Sequence, residues 1–227
     1  MKIIIDPLAI TTFGRLAGVH AFISLLDNSM PEVEWREREA LKHVAQEQDW
    51  DFGDYSLGTQ LIDERFRHWI PRFSAYSIII LLQSIVETQL FACAQRVGQN
   101  PNATFQVRDI RGGVLESAVL YLRNAGSVDV RKDPAWSRLQ DLHQLRNIIA
   151  HRGGTRGESP EHQKTFDRLL STYAPRLASA DQPSSLYGEM WISLRLCDEF
   201  GRDVEAFFSR TLRAIGVSAK AIPGVSQ

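Results

Sequence analysis

Residues 133–154 read DPAWSRLQDLHQLRNIIAHRGG, and their order is that of one complete helix. Asp133 and Pro134 stand as an N-cap followed by proline at the first helical position, where its missing N–H costs nothing. Trp136, Leu139, Leu142, Leu145, Ile148 and Ile149 then recur at spacings of three and four, which makes one apolar stripe. Gly153 and Gly154 close it in the way left-handed helix caps do. A helix so marked, in a chain without convincing strands, predicts an all-α fold.

The same periodicity runs outward in both directions. Residues 8–26 place Leu16, Val19, Ile23 and Leu26 on one face, and Pro31 is expected to open a second, more polar helix. The stretch from Asp49 to Gly58 reads as a turn-rich connector because of Gly53 and Gly58. Residues 61–97 read as helical with a break or kink at Pro71, followed by a loop at 98–102. Further helices are expected at 113–124, at 160–173 and from about Tyr187 to Ile215, with a loop at 179–185 and a frayed end over 221–227. No strand, internal repeat or low-complexity tract is expected, which argues against a doubly wound nucleotide fold.

Composition narrows the function. The 227 residues, 44% hydrophobic and 23% charged, suit an ordinary globule, and a net charge of −1 lacks the basic field of a duplex-DNA binder. Two distant cysteines, Cys93 and Cys197, suit neither a zinc ribbon nor a disulfide scaffold and fit a reducing cytoplasm. The opening MKIIIDPLAITTF lacks the features of a signal peptide. The apolar run SIIILLQSIVETQLFACA contains Gln83 and Glu87, so it is expected to be a buried helix and not a membrane span. Scattered histidines without acidic or cysteine partners at ligand spacing predict no metal site, and no cofactor motif is present.

The chemistry on offer lies in 145–154, LRNIIAHRGG. Positions four apart share a helix face, so Asn147 is expected to hold the His151 imidazole in one orientation. Arg146 carries a permanent charge that matches a phosphate bidentately, and a histidine exchanges protons near neutrality. That pairing suits RNA cleavage, in which the 2′-hydroxyl is the nucleophile and no metal is required. One histidine does not serve as base and acid on opposite sides of one in-line displacement, so two copies of the helix are expected to act together. The competing structural reading is a plain helix C-terminus, with His151 and Arg152 complementing the dipole. His143 and Arg152 are candidate substrate contacts, and Glu87 is expected to pair with and position Arg146. Basic residues between Arg131 and Arg168 read first as a solvated face and second as a candidate RNA track leading to the site.

The string RNIIAH, late in an all-α chain, resembles the signature of the HEPN superfamily: an arginine, often a polar residue directly after it, and a histidine four to six residues further on. Arg146, Asn147 and His151 match those places, and the likeness covers roughly residues 60–215. The resemblance implies an antiparallel helical bundle over 59–227 with a helical extension at 1–58. It also implies a homodimer and a metal-independent endoribonuclease with Arg146, Asn147 and His151 in the site, in toxin–antitoxin or antiviral defence settings with a partner protein. Some toxin members carry a modifiable tyrosine two residues after the histidine; here that place is Gly153. Other members are inactive binding or dimerisation modules.

Overall fold

The computed structural model describes residues 6–99, 106–179 and 189–217. The fold is all-α, built from α1 (Pro7–Glu47), α2 (Phe52–Glu64), α3 (Ile70–Gly98), α4 (Val114–Asn124), α5 (Trp136–Arg152), α6 (Pro160–Tyr173) and α7 (Leu194–Ala214). A two-stranded antiparallel ribbon, β1 (Leu177–Ser179) with β2 (Met190–Ile192), corrects the expectation of no strand. The ribbon occupies part of the stretch read as the start of the last helix. That helix instead begins after Ser193, whose hydroxyl caps the Leu196 N–H at 3.2 Å. The loop at 98–102 and the one at 179–185 lie largely outside the described residues, as do Tyr187 and the 221–227 tail.

Two expected interruptions are absent and a third is shorter than expected. Pro31 lies inside α1, which runs unbroken for 41 residues, about 60 Å. A proline forfeits one backbone bond, and α1 continues through that loss. The turn near residue 49 is confined to 48–51, and Asp51 caps the new helix by accepting the Asp54 N–H at 2.9 Å. Gly58, read as a turn residue, is helical: a Cβ there would lie 2.8 Å from a methyl of Leu41, so it is a glycine of close packing. The domain boundary expected near residue 58 therefore falls within α2. At Pro71 there is no break either, because a π-turn at Arg65–Trp69 immediately precedes it and carries α2 into α3 as one 47-residue rod.

These two rods form a long antiparallel hairpin. The Thr12 hydroxyl meets Gln89 Oε1 at 2.8 Å, Arg15 donates to Thr88 at 3.2 Å, and Arg65 pairs with Glu37 at 2.5 Å, while Arg38 pairs with Asp63. The hairpin's proximal half belongs to the main body. Ala9, Phe13, Leu16, Val19 and Ile23 of α1 share one core with α3, α5 and α7, so the extension is partly core. α3 is the central element, touching α1, α4, α5 and α7, and α7 inserts Phe200, Phe207 and Phe208 with no exposure at all. Both rods are long and apolar enough to cross a membrane by length and composition. In the second rod 56% of the apolar stretch is buried inside protein, and in α1 33%.

Candidate functional site

Helix α5 ends as its sequence predicts. Gly153 takes φ +61°, and its N–H and that of Gly154 bond to Ile149 and Ile148 carbonyls at 3.0 and 3.1 Å. Gly154 is fixed by packing as well as by its φ of +87°, since a Cβ would lie 1.9 Å from the Tyr76 hydroxyl. That hydroxyl donates to the Met190 carbonyl at 2.8 Å, and the Met190 N–H donates to Gly154 O at 2.9 Å. Burial pushes the Tyr76 phenol up to about 12, so it stays protonated and bonded. The motif's end is thereby tied to both α3 and the ribbon.

The apolar stripe anchors the motif. Leu142, Leu145, Ile148 and Ile149 are buried, which leaves Arg146 and Asn147 half-buried and His151 exposed. Arg146 Nη1 donates to Asn147 Oδ1 at 3.0 Å, and Asn147 Nδ2 meets His143 Nε2 at 3.0 Å. Side chains on a helix lean toward its N-terminus, so Asn147 reaches back to His143 instead of forward to His151. The expected Asn147–His151 pairing is therefore replaced. A neutral imidazole accepts at one nitrogen only, and both of its amide neighbours here are donors, Asn147 Nδ2 at Nε2 and Gln83 Nε2 at Nδ1, 3.1 Å away, so the ring accepts from one of them at a time. Glu87 lies 4.0 Å from Nδ1. Gln83 donates to Glu87 at 2.9 Å, completing a polar row from Glu87 to Arg146.

Two more expectations change. Glu87 does not pair with Arg146; Gln83 and His143 lie between them. Arg146 makes no ion pair among the described residues, and His151 makes neither ion pair nor hydrogen bond there. Arg152 serves the following loop: Nη1 donates to the Arg156 carbonyl at 2.9 Å, and burial pulls its pKa below the ordinary arginine value. Gly157 leaves room for it, since a Cβ there would lie 2.8 Å from that nitrogen. Three of the eight basic residues of the track are ion-paired. Arg138 pairs with Asp203, Arg156 with Asp167, and Arg168 with Asp141 at 2.6 Å.

Beside the polar row lies a cavity of about 180 Å³ lined by Val86, Leu115, Trp136, Leu139, Gln140, His143 and Gln144. Sequence reasoning missed Gln83 as a partner of His143. The only signal was its place four residues before Glu87, which fixes a shared helix face but not the neighbouring helix. Among the described residues no cluster of three or more potential metal ligands exists. Both cysteine thiols are buried and pushed up to about 12 by that burial, far from thiolate chemistry. No family model, curated protein or solved structure matches the chain.

Proposed function

We propose that the chain is a metal-independent endoribonuclease of HEPN type, acting on RNA in the cytoplasm as part of a toxin–antitoxin or phage-defence system. The observation that carries this reading is the Arg146–His151 pair. A half-buried guanidinium lacks a carboxylate among the described residues, and five positions along the same helix, about 7.5 Å, stands an exposed imidazole without a partner. An arginine held by an amide and not by an acid keeps its charge available for a phosphate.

In the reaction, His151 takes the proton of the 2′-hydroxyl, and the 2′-oxygen attacks the adjacent phosphorus. The P–O5′ bond breaks, and the 5′-oxygen leaves with a proton from a second histidine, supplied by another copy of the chain. Arg146 binds the non-bridging oxygens as charge builds on them. The products are a 2′,3′-cyclic phosphate and a 5′-hydroxyl. Asn147 holds Arg146 from one side and is itself held by His143, so His143 is a positioning residue.

The engagement of Asn147 with His143 favours one second reading, a non-catalytic binding or dimerisation module in which the row is structural. Cleavage of labelled RNA in EDTA separates the two. The nuclease gives cyclic-phosphate ends, with Arg146→Ala and His151→Ala each slowing cleavage at least about 100-fold while remaining folded. Intact RNA with the folded wild-type chain supports the binding module.

A further inference from the structure

The polar row on α5 continues past His143 toward the start of the helix. Gln140, His143, Gln144 and Asn147 stand at helical spacing, so they share one face, and none of them carries a fixed charge. Gln140, His143 and Gln144 form the polar side of the cavity of about 180 Å³. Its other walls are Val86 of α3, Leu115 of α4, and Trp136 and Leu139 of α5. Val86 and Leu139 are buried, so the floor is apolar. Trp136 packs against Phe207, with ring centroids 6.2 Å apart, and its indole also borders the cavity. An apolar floor, an aromatic wall and an amide rim suit a planar heteroaromatic ring. The volume is below the roughly 300 Å³ at which pockets for drug-sized ligands begin, so a single base fits better than a whole nucleotide.

The cavity adjoins the candidate site. His143 lines it and meets Asn147, which in turn holds Arg146. Gln144 and Gln140 precede Arg146 by two and six residues, about 3 and 9 Å along the axis, which is within the reach of one nucleotide. Arg108 and Arg111, exposed and without an ion pair among the described residues, lead into the turn of α4 that carries Leu115.

The rim amides set the kind of base. Gln144 Oε1 accepts from Arg168 Nη2 at 2.6 Å. A guanidinium only donates, so the amide NH2 is the group that Gln144 has left for the cavity. Gln140 makes no hydrogen bond among the described residues, and its amide is free to donate as well. Donors at the rim match a base edge that presents a carbonyl oxygen, as uracil and guanine do. Adenine offers an amino group there and would set donor against donor.

We propose that this cavity is a recognition subsite for a keto base, uracil or guanine, next to the phosphate held by Arg146. The inference rests on the ribonuclease reading and extends it to the choice of substrate. Trp136 stacks on the ring and Gln144, with Gln140, donates to its carbonyl; neither amide takes part in proton transfer.

Cleavage by the full chain in EDTA tests it, on short labelled RNAs that are all adenine or carry one central uracil or guanine. The wild type is expected to cut beside the uracil or guanine with a kcat/KM at least about 10-fold above that for all-adenine RNA, and the faster of the two identifies the base. Gln144→Glu keeps an oxygen for Arg168 and replaces the NH2 by an acceptor. It is expected to melt as wild type does and to bring that ratio to within about twofold of unity. Leu115→Trp fills the cavity and is expected to raise KM for the preferred RNA at least about 10-fold. Equal cleavage of the three RNAs by the wild type, or an unchanged preference in folded Gln144→Glu, overturns the subsite and leaves the nuclease reading intact. Wild-type cleavage by Leu115→Trp also overturns it and leaves the cavity to another occupant, such as an apolar side chain of a partner protein. If no RNA is cut, the nuclease reading fails and the subsite fails with it.

Discussion

The body and the arm of this molecule are made of the same helices but are stabilised differently. In the body, α1 and α3 bury whole side chains: Leu16, Ile78, Ile79, Leu82 and Leu90 have at most 1% exposure. Some tens of residues further along the same two rods, 27–69 bury only Ile62 and Phe66 and hold together through Glu34–Arg38–Asp63 and Glu37–Arg65. Exposed ion pairs contribute little, roughly 0–1 kcal/mol each, whereas a buried apolar side chain contributes about 1.5–3. One continuous helix is therefore held by packing at one end and mainly by ion pairs at the other.

The largest expected effect belongs to the body. Phe208→Ala, at a fully buried position between α7 and the core, is expected to cost about 3–5 kcal/mol in urea unfolding. A loss below 1 kcal/mol would erase the distinction between the two regions. Next comes Gly154→Ala, which places a Cβ against the Tyr76 hydroxyl at a left-handed φ. It is expected to cost about 2 kcal/mol or more and to expose Met190 and the ribbon to amide exchange.

A smaller, pH-dependent effect sharpens the comparison of packing with charge. Burial pushes the Asp133 carboxyl up, but the Arg210 guanidinium at 2.7 Å and the Ala135 N–H at 2.8 Å together hold it below the ordinary 3.8. A depressed carboxylate stabilises above its unfolded value and loses that contribution as pH falls through the folded one. Asp133→Asn is therefore expected to cost about 1 kcal/mol at pH 7, with wild type and variant converging in acid below 3.8. A constant difference down to that range would mean that the charge is not what matters there. The smallest effect is expected in the arm. Leu61→Ala, at 55% exposure, is expected to change the unfolding free energy by no more than about 0.5 kcal/mol in urea unfolding.

Much of the architecture is legible in the chain because it is local. The 3.6-residue stripe of α5, its Gly153 cap and the Ser159–Pro160 start of α6 each follow from neighbours within a turn or two. Proline and glycine misled where a second helix intervened. Pro31 lies inside one long rod and Pro71 directly after a π-turn in the other, and Gly58 is packed against Leu41 across the hairpin. The ribbon was illegible because two three-residue strands separated in sequence leave almost no period-2 signal.

The candidate site divides in the same way. Sequence alone places Arg146, Asn147 and His151 within about one and a half turns of one helix, beside an apolar stripe that must be buried. Which of them is free is a tertiary matter. Helix α3 brings Gln83 and Glu87 against His143, the tilt of helical side chains turns Asn147 back toward that ring, and the result leaves Arg146 without an acid and His151 without a partner among the described residues. Spacing along one helix fixes which side chains share a face, but a hydrogen bond is claimed by whichever polar group the neighbouring helix delivers within 3 Å.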